Sequence, residues 1–241
     1  FLDSVRSEAV NGITSGMLAR PDSQSIQTIG CHCLHTLLVV DDHVNMSQLV
    51  RCNAMTALVA ATKRWAIAPD VLNNSLESLR IFCREDIYHK WIGKVGGVSA
   101  FLAVIRAQMT EVRLIEMSWE CLSLILSTPE NLHQFALEDG PSAALTMIRS
   151  FVSSKMINRF ALDCVEKTAK HARHHAALLK MHVVDVVLLS ISAHQENVNI
   201  QVSGCLAVAH LLLSDYPLPC DNAMQLKPLS AAAEPPKKPK A

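Results

Sequence analysis

Glycine is scarce in this chain, aromatic residues make up only 5% of it, and neither sign of charge prevails, with 22 Lys and Arg against 22 Asp and Glu. Each shortage excludes something. Eight glycines in 241 residues are too few for the turns of a many-stranded β fold, and alternation at period two is nowhere sustained. The balanced charge leaves no overall field to draw the protein to a polyanion or an anionic membrane, so any electrostatic recognition is local. The densest apolar run, VVDVVLLSISA at 183–193, contains Asp185 and falls short of the roughly 20 apolar residues a membrane span needs. The opening FLDSVRSEAV has neither the basic start nor the apolar stretch of a secretory signal, and the chain reads as a fragment.

Motifs that carry chemistry are missing as well. There is no G-x-S-x-G, P-loop, Rossmann glycine fingerprint, CxxC or HExxH. His171 and His175 of KHARHH stand four apart, a spacing a metal could bridge, but no further ligand accompanies them and the segment reads as a basic turn. The expectation is therefore no enzyme, no cofactor and no metal. Eight cysteines lack the dense framework of a small secreted domain, and several fall at apolar helical positions. They read as free, buried thiols in a reducing, intracellular setting, cytoplasmic or cytoskeletal, with the nucleus possible.

What the sequence does have is a repeat. Taking Leu122 of MSWECLSLIL as reference, equivalents stand at Leu34, Leu79, Val165 and Val208, at spacings of 45, 43, 43 and 43. Four residues before each lie Gly30, Ser75, Ser118, Ala161 and Gly204; one before lie Cys33, Ser78, Cys121, Cys164 and Ala207. With Ile26, Val71, Leu114, Ile157 and Ile200 eight before, and Leu37, Phe82, Ile125, Thr168 and Leu211 three after, these form one stripe about 100° wide on a helix. Five long helices are expected near 25–39, 70–83, 113–126, 156–169 and 199–213.

A second helix recurs through Gly97, Phe101, Leu102 and Ile105, then Gly140, Ala144, Leu145 and Ile148, then Val183, Val187, Leu188 and Ile191. A shorter amphipathic piece carrying Ile92, Phe135 or Leu178 precedes each, and the glycines at 97 and 140 suit a sharp break between the two. Pro21, Pro69, Pro129 and Pro141 fall between these segments. Each unit thus has three helices, and the fold is expected to be all α over residues 1–213.

A period of about 43 residues with a short first helix, a glycine break, a second helix and a long third helix resembles the armadillo repeat, with the two-helix HEAT repeat as close neighbour. The best-matching stretches are KVGGVSAFLAVIRA with MSWECLSLIL, and LEDGPSAALTMIRSF with RFALDCVEKTA. The resemblance implies a right-handed α-solenoid of about five armadillo-like three-helix repeats, roughly 40–50 Å long at ordinary helix spacings. It also implies a partner-binding groove lined by the third helices.

On the wheel, the positions two before and one after the reference point away from the buried stripe. The first set is His32, Glu77, Glu120, Asp163 and Leu206; the second is His35, Arg80, Ser123, Glu166 and Ala209. Members of the family of the importin α type carry tryptophan at the first of these positions and asparagine two after the reference; here neither is present, so that type is not indicated. The candidate partner-binding residues are accordingly Glu77, Arg80, Glu120, Ser123, Asp163, Glu166, His32 and His35, with the carboxylates forming an acidic ladder for a basic or Lys/Arg-containing segment. The plainer alternative is a solvated face in which Glu77 simply pairs with Arg80.

The expected function is a non-catalytic protein–protein scaffold or adaptor within a larger assembly, with a cytoskeletal or ciliary setting among the possibilities and no membrane or nucleic-acid partner. The alternative is a regulatory or targeting subunit of an enzyme. The Pro-, Ala- and Lys-rich stretch 214–241, ending in PPKKPK, is expected to be disordered alone or to lie in an acidic groove in cis.

Overall fold

The computed structural model describes residues 2–40, 42–108 and 110–213, and every regular element among them is helical. The stretch 214–241 and its lysines lie outside the described residues. The helices are α1 (Leu2–Ala19), α2 (Gln24–Val40), α3 (Asp42–Arg51), α4 (Ala54–Arg64), α5 (Pro69–Cys83), α6 (Asp86–Lys94) and α7 (Gly97–Ala107). They continue as α8 (Val112–Ile125), α9 (Pro129–Leu137), α10 (Gly140–Ser150), α11 (Lys155–Ala169), α12 (His175–Lys180, after a 3-10 turn at Ala172–His174), α13 (Val183–Ala193) and α14 (Val198–Leu212). No single helix among the described residues is long and apolar enough to cross a membrane.

After the α1–α2 pair the elements run short, medium, long, four times over. One backbone feature sets each break between short and medium helix. Asn53, Gly96, Asp139 and His182 all have positive φ, between 55° and 93°, and they recur every 43 residues. This conformation tightens the chain so that the next helix leaves at a sharp angle, and it tolerates glycine best and Asn or Asp next. Gly97 and Gly140, expected above to make the break, each follow the left-handed residue and serve another purpose. A Cβ on Gly97 would stand 2.8 Å from the Ile92 carbonyl oxygen, and one on Gly140 would press into the Phe135 ring. Pro69 and Pro129 open α5 and α9, and Pro141 sits in the first turn of α10, where the missing N–H breaks no helical hydrogen bond.

The long helices pack in sequence, α2 on α5, α5 on α8, α8 on α11 and α11 on α14, and the medium helices do the same from α4 through α7 and α10 to α13. Burial along the long helices assigns a side to each neighbour. In α5, α8 and α11 the reference residues Leu79, Leu122 and Val165 are wholly buried. So are the row on one side (Ser78, Phe82; Cys121, Ile125; Cys164, Thr168) and the row on the other (Leu76, Cys83; Trp119, Leu126; Leu162, Ala169). The end helices each leave one row open, and not the same one. On α2 it is Cys33 and Leu37 that are only half buried, while Cys31 and Leu38 are covered. On α14 Ala207 and Leu211 are covered, while Cys205 is exposed and Leu212 is 71% exposed. The first row therefore meets the preceding long helix and the second meets the following one.

Candidate partner-binding surface

Of the acidic residues singled out by register, Glu77, Glu120 and Asp163 are partly exposed on α5, α8 and α11. Glu166, and Ser123 beside Asp163, are instead buried against the neighbouring long helix rather than facing outward. Cationic groups contact each acid. Glu77 accepts from Arg80 at 2.5 Å on its own helix and from Arg113 of α8 at 2.7 Å. Arg80 also reaches Glu120 at 3.4 Å, and Arg84 lies 3.5 Å from the other oxygen of the same carboxylate. On the next pair, Ser123 Oγ donates to Asp163 at 2.8 Å, while Lys167 stands 2.8 Å from Asp163 and also donates to the Ser123 carbonyl. Glu166 is held between Lys170 at 3.3 Å and His210 of α14 at 3.2 Å.

Five of the eight candidate residues thus fall into two clusters, Glu77, Arg80 and Glu120 across α5 and α8, and Ser123 and Asp163 across α8 and α11, while Glu166 separately joins α11 to α14 through His210. His32 and His35 stand apart on α2; His32 is exposed, and His35 Nδ1 is enclosed without a hydrogen-bond partner among the described residues. Depth sorts the charges. The Glu77 and Glu120 side chains are 18% and 17% exposed, whereas Arg84, Arg113 and Lys170 are more than half exposed. At Glu77, Glu120 and Glu166 the carboxylate lies beneath an exposed cation, whereas Asp163 is more exposed than its partner Lys167. Such pairs contribute little each at an exposed site but more where one partner is as covered as Glu166, at 7%.

A second set of polar residues, of which the sequence singles out only His175 and then for its spacing from His171, ties the helices end to end. His89 is buried, with Nε2 2.6 Å from the Cys83 carbonyl and Nδ1 2.9 Å from Ser127 Oγ. Asn131 donates to the Ile125 carbonyl at 2.9 Å, and His175 Nε2 lies 2.6 Å from the Ala169 carbonyl. Each spans six residues and satisfies a carbonyl at the C-terminus of a long helix, where none of the last four has a helical partner. Trp65, Gln108 and His194, at the ends of α4, α7 and α13, make the complementary strap. They bond the carbonyls of Pro21, Ala66 and Val152, 42 to 44 residues earlier. Their common register is visible in the sequence, but their chemical variety hides it.

Gln27, Asn158 and Gln201 occupy a third equivalent site, seven before the reference. Gln27 donates to the Met17 and Arg20 carbonyls and Gln201 to those of Ile191 and His194, in each case one within the last turn of the preceding helix and one just past it. Asn158 donates to the carbonyls of Phe151, Val152 and Ser154 beyond α10. With these donors committed, the elements that carry the ridge have little freedom to slide.

The tryptophans divide. Trp119 is buried, edge-on to Phe135 with centroids 6.5 Å apart. Trp65 is the strap to Pro21, and Trp91 is exposed beneath Lys94. The thiols are packing groups, since burial pushes Cys31 up to about 12 and raises Cys83 and Cys164 well above the ordinary range. Among the described residues no three His, Cys, Asp or Glu side chains converge on one point. A cleft of about 660 Å³ opens at the α13–α14 turn beside Lys155, and its one imidazole is that of His194, already bonded to Val152. Neither a protein-family model nor a curated protein matches the chain.

Proposed function

We propose that the chain is a non-catalytic protein–protein interaction scaffold. In this reading it is a right-handed α-solenoid of armadillo-like three-helix units that holds a partner along the ridge of α5, α8 and α11. The observation that carries the reading is the pattern of open rows: interior long helices are covered on both flanks, whereas α2 and α14 are open on opposite ones. Stacked units predict that pattern, and a closed globule with one shared centre does not. The left-handed residues every 43 positions and the straps across 42 to 44 residues support the same arrangement.

The ridge suits recognition because its carboxylates stand on three successively packed helices and are held by cationic groups of their own and neighbouring helices. An incoming Lys or Arg reaches Glu77, Glu120 or Glu166 by exchanging with Arg113, Arg84 or Lys170, the exposed member of each cluster. Trading one ion pair for another contributes more to selectivity and salt dependence than to affinity. The free cysteines, five of the seven described ones buried, support an intracellular setting, as part of a larger assembly.

The test is affinity capture from cell extract with quantitative mass spectrometry, run in parallel with wild type and a Glu77→Gln/Glu120→Gln/Asp163→Asn variant. A protein retained by the first and lost by the second supports the reading, more so if its retention falls with added salt only in wild type. An identical set of proteins on both would remove the ridge from consideration.

A further inference from the structure

The open row of α14 is a docking face for which every other long helix has an occupant. Val198, Val202, Cys205, Leu206 and Leu212 fall within about 120° of arc, opposite the buried Ile200, Gly204 and Ala207. The helix carries no Asp, Glu, Lys or Arg along its fifteen residues. A helix apolar on two opposite faces is built to be covered on both. At the matching positions Cys31, Leu76, Trp119 and Leu162 are all fully buried, each beneath the long helix that follows.

We infer that residues 214–229 of this chain, SDYPLPCDNAMQLKPL, fold back along α14 and cover that row. The chain leaves α14 at Leu212 and Leu213, both exposed, so the segment begins at the face it would cover. Its sixteen residues are ample, because α14 is only about 22 Å long and an extended chain spans about 3.3 Å per residue. Pro217 and Pro219 disfavour helix at the start of the segment and favour extended backbone at the residue before each. Leu218, Met224, Leu226 and Leu229 supply the apolar side chains, while Asp215, Asp221 and Lys227 are the only charges. Tethering gives the segment an effective concentration in the millimolar range, ahead of a second copy of the chain at ordinary concentrations. This inference concerns the end of the stack and stands apart from the identity of any partner on the ridge.

Two native thiols report on it, Cys205 on the face and Cys220 in the segment. In the full chain under mild diamide oxidation, peptide mass spectrometry of the monomer is expected to find a Cys205–Cys220 link. Alkylation of Cys205 is expected to be about tenfold slower than in a Leu218→Asp/Leu226→Asp/Leu229→Asp chain, whose substitutions leave residues 1–213 unchanged. Cys205–Cys205 links between copies, with protection that rises with concentration, would overturn the inference in favour of a dimer. Equal alkylation rates in the two chains would overturn it outright.

Discussion

The Arg113 guanidinium of α8 lies 2.7 Å from the Glu77 carboxylate of α5, so the acid at the outward face of one unit is held by the next. The same relation recurs between His210 and Glu166, and it runs the other way between Arg80 of α5 and Glu120 of α8. The ridge is at once a surface and a brace, and substitutions in it separate the two roles by depth.

Glu166 is nearly enclosed while Glu130, paired with Lys90 at 2.7 Å, is exposed. Glu166→Gln leaves His210 and Lys170 without their counter-ion and is expected to cost about 1–3 kcal/mol of stability. Glu130→Gln is expected to leave the denaturation midpoint unchanged. Urea melts of the two variants beside wild type make the comparison; equal effects would remove burial as the deciding factor.

His89 closes the end of α5 and braces the turn after α8 through two hydrogen bonds. His89→Ala opens a cavity and frees the Cys83 carbonyl, for an expected loss of about 2 kcal/mol and a melting temperature lower by about 4–8 °C. His175→Ala, whose ring is only half buried, is expected to cost less. Calorimetry on both variants checks the order.

Two glycines make opposite predictions. Gly97→Ala drives a methyl toward the Ile92 carbonyl and is expected to destabilise by about 1–3 kcal/mol. Gly12 lies within α1 with nothing within 4 Å of an added Cβ, and Gly12→Ala is expected to stabilise by about 0.5–1 kcal/mol. Opposite shifts in the urea midpoint are the expected result.

Acidification acts at the turn before α12. Burial and then the Arg173 and Lys170 charges lower the pKa of His171; burial, Arg173 and the neighbouring imidazoles of His171, His133 and His175 lower that of His174. The unfolded chain takes up these protons near pH 6.5, before the folded chain does. Stability present above that value is therefore lost as pH falls from 6.5 through the lower folded values. Between about pH 7.5 and about pH 5.5 the melting temperature should fall less in a His171→Gln/His174→Gln variant than in wild type. A parallel fall in the two would assign the pH effect elsewhere.

The helical class was legible because Leu79, Leu122 and Val165 head stripes at helical spacing, and a stripe needs no knowledge of its neighbour. The pairing of the acids was legible only in part. Lys167 with Asp163 and Lys170 with Glu166 are four apart on one helix, but Arg113 with Glu77 and His210 with Glu166 depend on how helices 36 and 44 residues apart are set side by side. Gly97 misled for a related reason, since a glycine next to a turn looks like the turn itself until the Ile92 carbonyl is in place. The caps made by His89, Asn131 and His175 escaped because three different side chains donate to the same kind of carbonyl.

The central claim is that a partner lies along α5, α8 and α11, and hydrogen–deuterium exchange of the chain with and without its captured partner tests it most directly. Slower exchange concentrated in Pro69–Cys83, Val112–Ile125 and Lys155–Ala169 is the predicted result. Protection confined to the short and medium helices, with those three unchanged, would contradict it.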